Sequence, residues 1–365
     1  MTAIDDGRRA APVSSPLISR NAAIDGLRAF FAMLIVASHC GILGQGGVGN
    51  NFFFCLAGFM AAQPFKENPE EGFLGSRGVF RYYRGRFLRV VVPFWIILIM
   101  VKACTGARYF TLRSLIENML FVKMYAHLWF LQNLMVMYLL LPFIMKVLWH
   151  VGRLLGHEDG RWANIALLVI LSVLTRRYLT TDVLQLSQSQ PLWIWAFTTG
   201  MAFGYLVRPG VAGDKGLKRK ERLGSVTNIV VPLVLALAVL TSHSVLALVD
   251  PALDGFLVGW QAPVPVCLAC GVAIALVAIC PDCAASRALG VSPLALLGRI
   301  GMDVYLIHPF TFSIVPFEEG PRKFIAVLLV SVALALAVYE LIERPIAIFA
   351  KGKGVDGLRR HYDGL

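Results

Sequence analysis

Two residues best suited to chemistry, Arg28 and His39, stand where an apolar solvent should reject them. They lie in the stretch 23–41, AIDGLRAFFAMLIVASHCG, an apolar run of helix length. Eleven residues separate them. At 3.6 residues per turn that is close to three turns, so both project from one face, roughly 16 Å apart along the axis. An imidazole titrates near neutrality and can serve as a general base. A guanidinium can hold phosphate oxygens or a developing oxyanion. Burying Arg in a membrane helix costs on the order of 3 kcal/mol even on the milder insertion scales, which marks Arg28 as a functional candidate. The residues alone leave a second reading open, in which Arg28 snorkels to the headgroups and His39 bonds a neighbouring helix.

A second unusual stretch, RGVFRYYRGRFLR, runs from Arg77 to Arg89. Its five arginines precede an apolar span, and Arg86 and Arg89 carry the three-residue spacing of one helical face. Arg suits bidentate binding of phosphate oxygens; the plainer account is anchoring at the inner membrane surface. Two further histidines sit beside apolar runs. His127 opens HLWFLQNLMVMYLLLP, and His308 lies within MDVYLIHPF. Pro309 removes a backbone donor and frees carbonyls near His308, so a structural role is also open. Glu343 closes the last apolar run, where a helix C-terminus disfavours an anion; a cationic partner is expected for it.

The elements that position these groups follow from composition. Hydrophobic residues make up 57% and charged residues 15% of 365 residues. Several runs approach the roughly 20 apolar residues that cross a bilayer. The pattern predicts an all-α polytopic membrane protein with about ten helices, at 23–43, 50–65, 87–104, 127–149, 162–178, 191–207, 227–248, 263–280, 295–316 and 322–342. The second is short and contains Gly, which suits a partial or re-entrant element. Residues 1–21 read as a cytoplasmic lead-in, since no signal-peptide pattern is present. Residues 22–346 form one membrane domain, and 347–365 a basic cytoplasmic tail.

Charge sets the expected orientation. With both termini cytoplasmic, only Lys102, Arg108, Arg113, Lys123, Arg176, Arg177, Arg322 and Lys323 of the 34 Lys and Arg fall outside. That asymmetry follows the positive-inside rule. The loop 208–225 is the clearest inner marker, while Asp250 and Asp254 lie in an outer loop. Arg28 then faces the cytoplasm and His39 the exterior. The net charge of +12 is dispersed between spans, which argues for membrane lipid and against nucleic acid as a partner. Cys267-x-x-Cys270 and Cys280-x-x-Cys283 mimic zinc-ribbon spacing. The intervening GVAIALVAI is membrane core without the turns a zinc ribbon needs, so no metal is expected.

Five motifs in order resemble the membrane acyltransferase-3 family. Ile24-Asp25-Gly26-Leu27-Arg28 followed by His39 is similar to its Arg-x10-His first helix. Arg86-Phe87-Leu88-Arg89 resembles its Arg-x-x-Arg motif, and His127-Leu128-Trp129-Phe130-Leu131 its fourth-helix opening. Tyr305-Leu306-Ile307-His308-Pro309 and Glu343-Arg344-Pro345 resemble its C-terminal signatures. The resemblance implies an integral-membrane O-acyltransferase of the bacterial inner membrane. It would move an acyl group, usually acetyl, from acyl-coenzyme A to a hydroxyl of an envelope polysaccharide or lipid-linked sugar. Within it, His39 and Arg28 are the catalytic candidates and Arg86 and Arg89 the coenzyme-binding ones. Asp25, His127, Tyr305, His308 and Glu343 form a supporting set. Two departures bear on the acceptor. Gln132-Asn133 stands where many members carry two glutamates, and Ala57-Gly58-Phe59 replaces Ser-Gly-Phe. Some members carry an extra esterase-like domain; without one, transfer is expected to finish within the membrane domain. A proton-coupled exporter of an acidic or acylated metabolite is the rival reading, since intramembrane Arg and His suit it too.

Overall fold

The computed structural model describes residues 21–43, 46–62, 75–178, 193–207, 214–240 and 263–346. Nearly all of the lead-in, the C-terminal tail, the first part of the 208–225 loop and Asp250 and Asp254 lie outside them. The described residues are helical and include no strand.

The first helix, α1 (Ala22–His39), is the axis of the molecule. Asn21 caps it, its side chain accepting from the N–H groups of Ala23 and Ile24. The Asn21 amide also donates to Val277 O at 3.1 Å. Of the helices long and apolar enough to span a bilayer, α1 has 67% of its residues buried in protein, against 22–39% in the apolar windows of the other four. A helix surrounded by protein can carry polar groups that a lipid-facing one cannot.

Around it run α2 (Gly46–Ala62), α3 (Ser76–Arg86), α4 (Val92–Thr105), α5 (Leu112–Met119) and α6 (Trp129–Leu155). Next come α7 (His157–Tyr178), α8 (Ile194–Leu206), α9 (Asp214–Leu240) and α10 (Pro263–Ile279). The short α11 (Ala284–Leu289) and α12 (Ser292–Arg299) lead into α13 (Gly301–Ile314) and α14 (Pro321–Val338). The other four span-length segments are Ser76–Thr105, Trp129–Leu155, Lys220–Leu240 and Pro321–Ile346, with Gly46–Ala62 and Val264–Ile279 as shorter apolar helices. Their outer faces present Leu139 and Phe143 on α6, Ile229 and Leu233 on α9, and Ile325 and Leu329 on α14. Large exposed apolar side chains in this number suit lipid and not water.

Several elements differ from the sequence expectation for visible reasons. The second element is a continuous helix that starts four residues early, at Gly46. It seats against α8 through reciprocal glycines: a Cβ on Gly58 would lie 1.8 Å from Phe197 O, and one on Gly200 1.8 Å from Cys55 O. The third element begins at Ser76, so the arginine run is itself helical, and a π-helical turn over Phe87–Val91 joins α3 to α4. The ninth is broken at Ile300 into α12 and α13. A second π-helical turn, Tyr339–Glu343, ends the last helix. The basic segment after 213 is the first part of α9, because Lys, Leu, Arg and Glu are good helix formers.

Candidate active site

Three imidazoles meet where α1 ends. His39 is its last residue, and its Nδ1 lies 2.8 Å from Nε2 of His308 on α13. The His127 ring stacks on His39 with centroids 3.7 Å apart and planes 22° from parallel. His127 arrives on a 3₁₀ turn, Ala126–Leu128, that leads into α6. It is tied there by the Tyr305 hydroxyl, which donates to the His127 carbonyl. His308 Nδ1 lies 2.7 Å from the Tyr305 carbonyl. His39 is half-buried and His308 fully buried.

The other ring nitrogen of His39, Nε2, lies beside the start of α2. Gly46, the first residue of α2, donates its N–H to Ser38 Oγ at 2.7 Å. A Cβ at Gly46 would sit 3.7 Å from His39 Nε2, so glycine leaves that nitrogen uncovered on this side. Aromatic rings pack next to this cluster: Phe130 meets the Tyr305 ring edge to face at 5.2 Å, and Phe54 packs against both Phe130 and Trp193.

Arg28, about three turns away on α1, belongs to a different cluster. Its Nη1 lies 3.2 Å from Oδ1 of Asp25, while Arg299 Nε approaches Asp25 Oδ2 at 3.9 Å. The Asp25 side chain is buried, whereas Arg28 and Arg299 remain 34% and 41% exposed. Three groups with one net positive charge therefore line this end of α1. They meet because α11 and α12 touch α1 backbone to backbone. A Cβ on Gly298 would lie 1.7 Å from Asp25 O, and one on Gly26 2.0 Å from Leu289 O.

Arg86 and Arg89 are not a matched pair. Arg86 closes α3 and lies over the Tyr82 and Tyr138 rings at 5.3 and 4.3 Å, in a cation–π clamp between α3 and α6. Arg89 is exposed and sits within the π-helical turn. That turn winds more residues per revolution than an α-helix, so three-residue spacing no longer marks one face. Glu343 also departs from expectation. Among the described residues it faces a second acid, Asp303, and no ion pair joins it to a cation. Arg344 pairs with Glu340 instead.

The chain matches one family over most of its length. Its model, an acyltransferase domain, matches residues 21–340. The chain belongs to the acyltransferase-3 family. Comparison with curated proteins gave no match, and comparison with solved structures gave none. This acyltransferase-3 protein is accordingly a multi-pass membrane acyltransferase. The match runs from the cap of α1 into the final π-helical turn, so Arg28, His39, Arg86, Arg89, His127 and His308 lie within it and Glu343 just beyond.

The departure at Gln132-Asn133 has a structural use. Gln132 Nε2 donates to the carbonyls of Phe121 and Val122, at 2.7 and 3.4 Å. Asn133 Oδ1 accepts from the N–H of Trp193 at 3.2 Å, just before α8. A carboxylate could not make the first of these contacts. Arg299 and Asp303 join these clusters although no sequence motif contains them. The signal for both was present, as charges flanking the apolar run of α13, but their partner helices were not.

Proposed function

We propose that this protein is an O-acyltransferase of the bacterial cytoplasmic membrane, with both termini inside. It would transfer acetyl from acetyl-coenzyme A to a hydroxyl of an envelope polysaccharide or lipid-linked sugar. The observation that carries the reading is the His39 imidazole, held by His308 at the end of α1 remote from the Arg28 cluster. The donor's phosphates dock on the basic inner surface, at Arg89 and Arg86, where the charges suit them. Its pantetheine arm runs along α1 past Arg28 and brings the thioester to His39.

The chemistry then needs one base. His39 takes the proton of the acceptor hydroxyl, and the oxygen attacks the thioester carbonyl. As the tetrahedral intermediate collapses, the C–S bond breaks and coenzyme A leaves as the thiol with the proton returned by His39. Beyond Gly46, the first-turn N–H groups of α2 have no helical acceptor and suit the developing oxyanion. Arg28, three turns below, is too far to serve there and instead steers the donor.

The test uses purified protein in lipid, labelled acetyl-coenzyme A and an envelope glycan extract. Coenzyme release should require the acceptor, and the glycan should gain one acyl mass. His39→Ala should cut turnover by about 10²- to 10⁴-fold at normal membrane levels. Unimpaired acylation by that variant removes His39 from the reaction. Acceptor-independent behaviour, with substrate moved and nothing acylated, would instead favour an exporter.

A further inference from the structure

We propose that His308 is a positioning residue that fixes the tautomer of His39, and that Pro309 fixes His308 in turn. The inference rests on the reading of His39 as base, and it identifies Nε2 as the basic atom.

The chain of donors can be followed from its one unambiguous end. In an uninterrupted α-helix the carbonyl of residue 305 accepts from the N–H of residue 309. Residue 309 is proline and has no N–H, so the Tyr305 carbonyl loses its helical donor inside a buried helix. A buried carbonyl left unpaired is costly, and here His308 Nδ1 sits 2.7 Å from it. A carbonyl can only accept, so Nδ1 of His308 carries the hydrogen. In a neutral imidazole the other nitrogen is then a bare acceptor. That atom, His308 Nε2, lies 2.8 Å from His39 Nδ1, which must therefore donate. His39 is left with its hydrogen on Nδ1 and its lone pair on Nε2. Nε2 is the nitrogen beside the side-chain-free Gly46. One missing backbone N–H thus decides, through two rings, which atom faces the acceptor.

The arrangement also favours the transition state over the ground state. When Nε2 takes the acceptor's proton, His39 becomes cationic and its Nδ1–H bond to His308 becomes charge-assisted. Such bonds are roughly twice as strong as neutral ones. An interaction that strengthens only as charge develops raises kcat more than it changes KM. The His127 ring, stacked on His39, holds the plane of the imidazole while this happens.

The experiment combines a tautomer measurement with a substitution series. Solid-state NMR of protein labelled with ¹⁵N-histidine, in lipid bilayers, reads the protonated nitrogen directly. His39 and His308 should both carry hydrogen on Nδ1 and a bare Nε2, and a His39 signal of the opposite tautomer overturns the proposal. That readout needs no activity and no variant beyond a His39→Ala sample to assign the peak. In the kinetic arm, His308→Gln offers an amide oxygen where Nε2 was and should hold kcat within about threefold of the parent. His308→Leu offers no acceptor and should lose about 10²-fold in kcat with KM little changed. Pro309→Ala restores the competing N–H and should lower kcat by an intermediate factor. Equal loss in the Gln and Leu variants, both folded by thermal unfolding, would mean that His308 carries the proton or acyl group itself. An unchanged kcat in His308→Leu would mean that His39 needs no such partner. Retained turnover in His39→Ala would sink the underlying base assignment, an outcome separate from all of these.

Discussion

Asp303 and Glu343 illustrate how much a single proton can hold together. Asp303 is 1% exposed, and one of its oxygens has no partner among the described groups. Two facing carboxyls escape mutual repulsion only if one of them keeps its proton, which can then bridge them. Asp303→Asn preserves a donor towards Glu343 and should leave thermal stability close to the parent's. Glu343→Ala strips Asp303 of its partner and should cost about 1–3 kcal/mol, read as a lower unfolding midpoint in detergent. Gly46 offers a test of the same size on the activity side. A Cβ there meets only Ser38 and His39 at ordinary contact distances, so Gly46→Ala should fold normally. It would nevertheless cover His39 Nε2, and acylation should fall about tenfold or more while coenzyme binding stays intact.

Among the elements, the segment between α5 and α6 carries a residue that the family pattern alone would misread. Phe121 has φ 57°, a left-handed conformation that costs a non-glycine residue free energy. Its carbonyl is held by the Gln132 amide, reaching back from the first turns of α6. Gln132→Glu should therefore destabilise this chain by about 1–3 kcal/mol, because a carboxylate would face a carbonyl. A thermal shift smaller than a degree would show that the segment is held by other contacts. The π-helical turn at Phe87–Val91 is the other element that local pattern could not supply. It follows an α-helix of mostly polar residues and precedes Pro93, and it separates a clamped Arg86 from an exposed Arg89. Arg89→Ala should weaken coenzyme binding and reduce its dependence on salt, since screening acts on exposed charges. Arg86→Ala should also loosen α3 from α6 and lower the unfolding midpoint.

For the molecule as a whole, the central burial of α1 is what allows a guanidinium and an imidazole to share one apolar helix. The sequence by itself determined that these two groups lie about three turns apart, because helix geometry is local and fixed by the period of the backbone. It also determined the membrane class, through runs of apolar residues too long to need any neighbour for their recognition. The order of five short motifs carried the family. What the sequence left open was every pairing across helices. His308 meeting His39, Arg299 joining Arg28 on Asp25, and Asp303 facing Glu343 each join residues far apart in the chain. Such contacts depend on how glycine-lined helices close upon one another, and no local period encodes that distance. The proline after His308 stood in plain view as a donor removed. Only the packed helices brought the ring bonded to that carbonyl, His308, within 2.8 Å of His39.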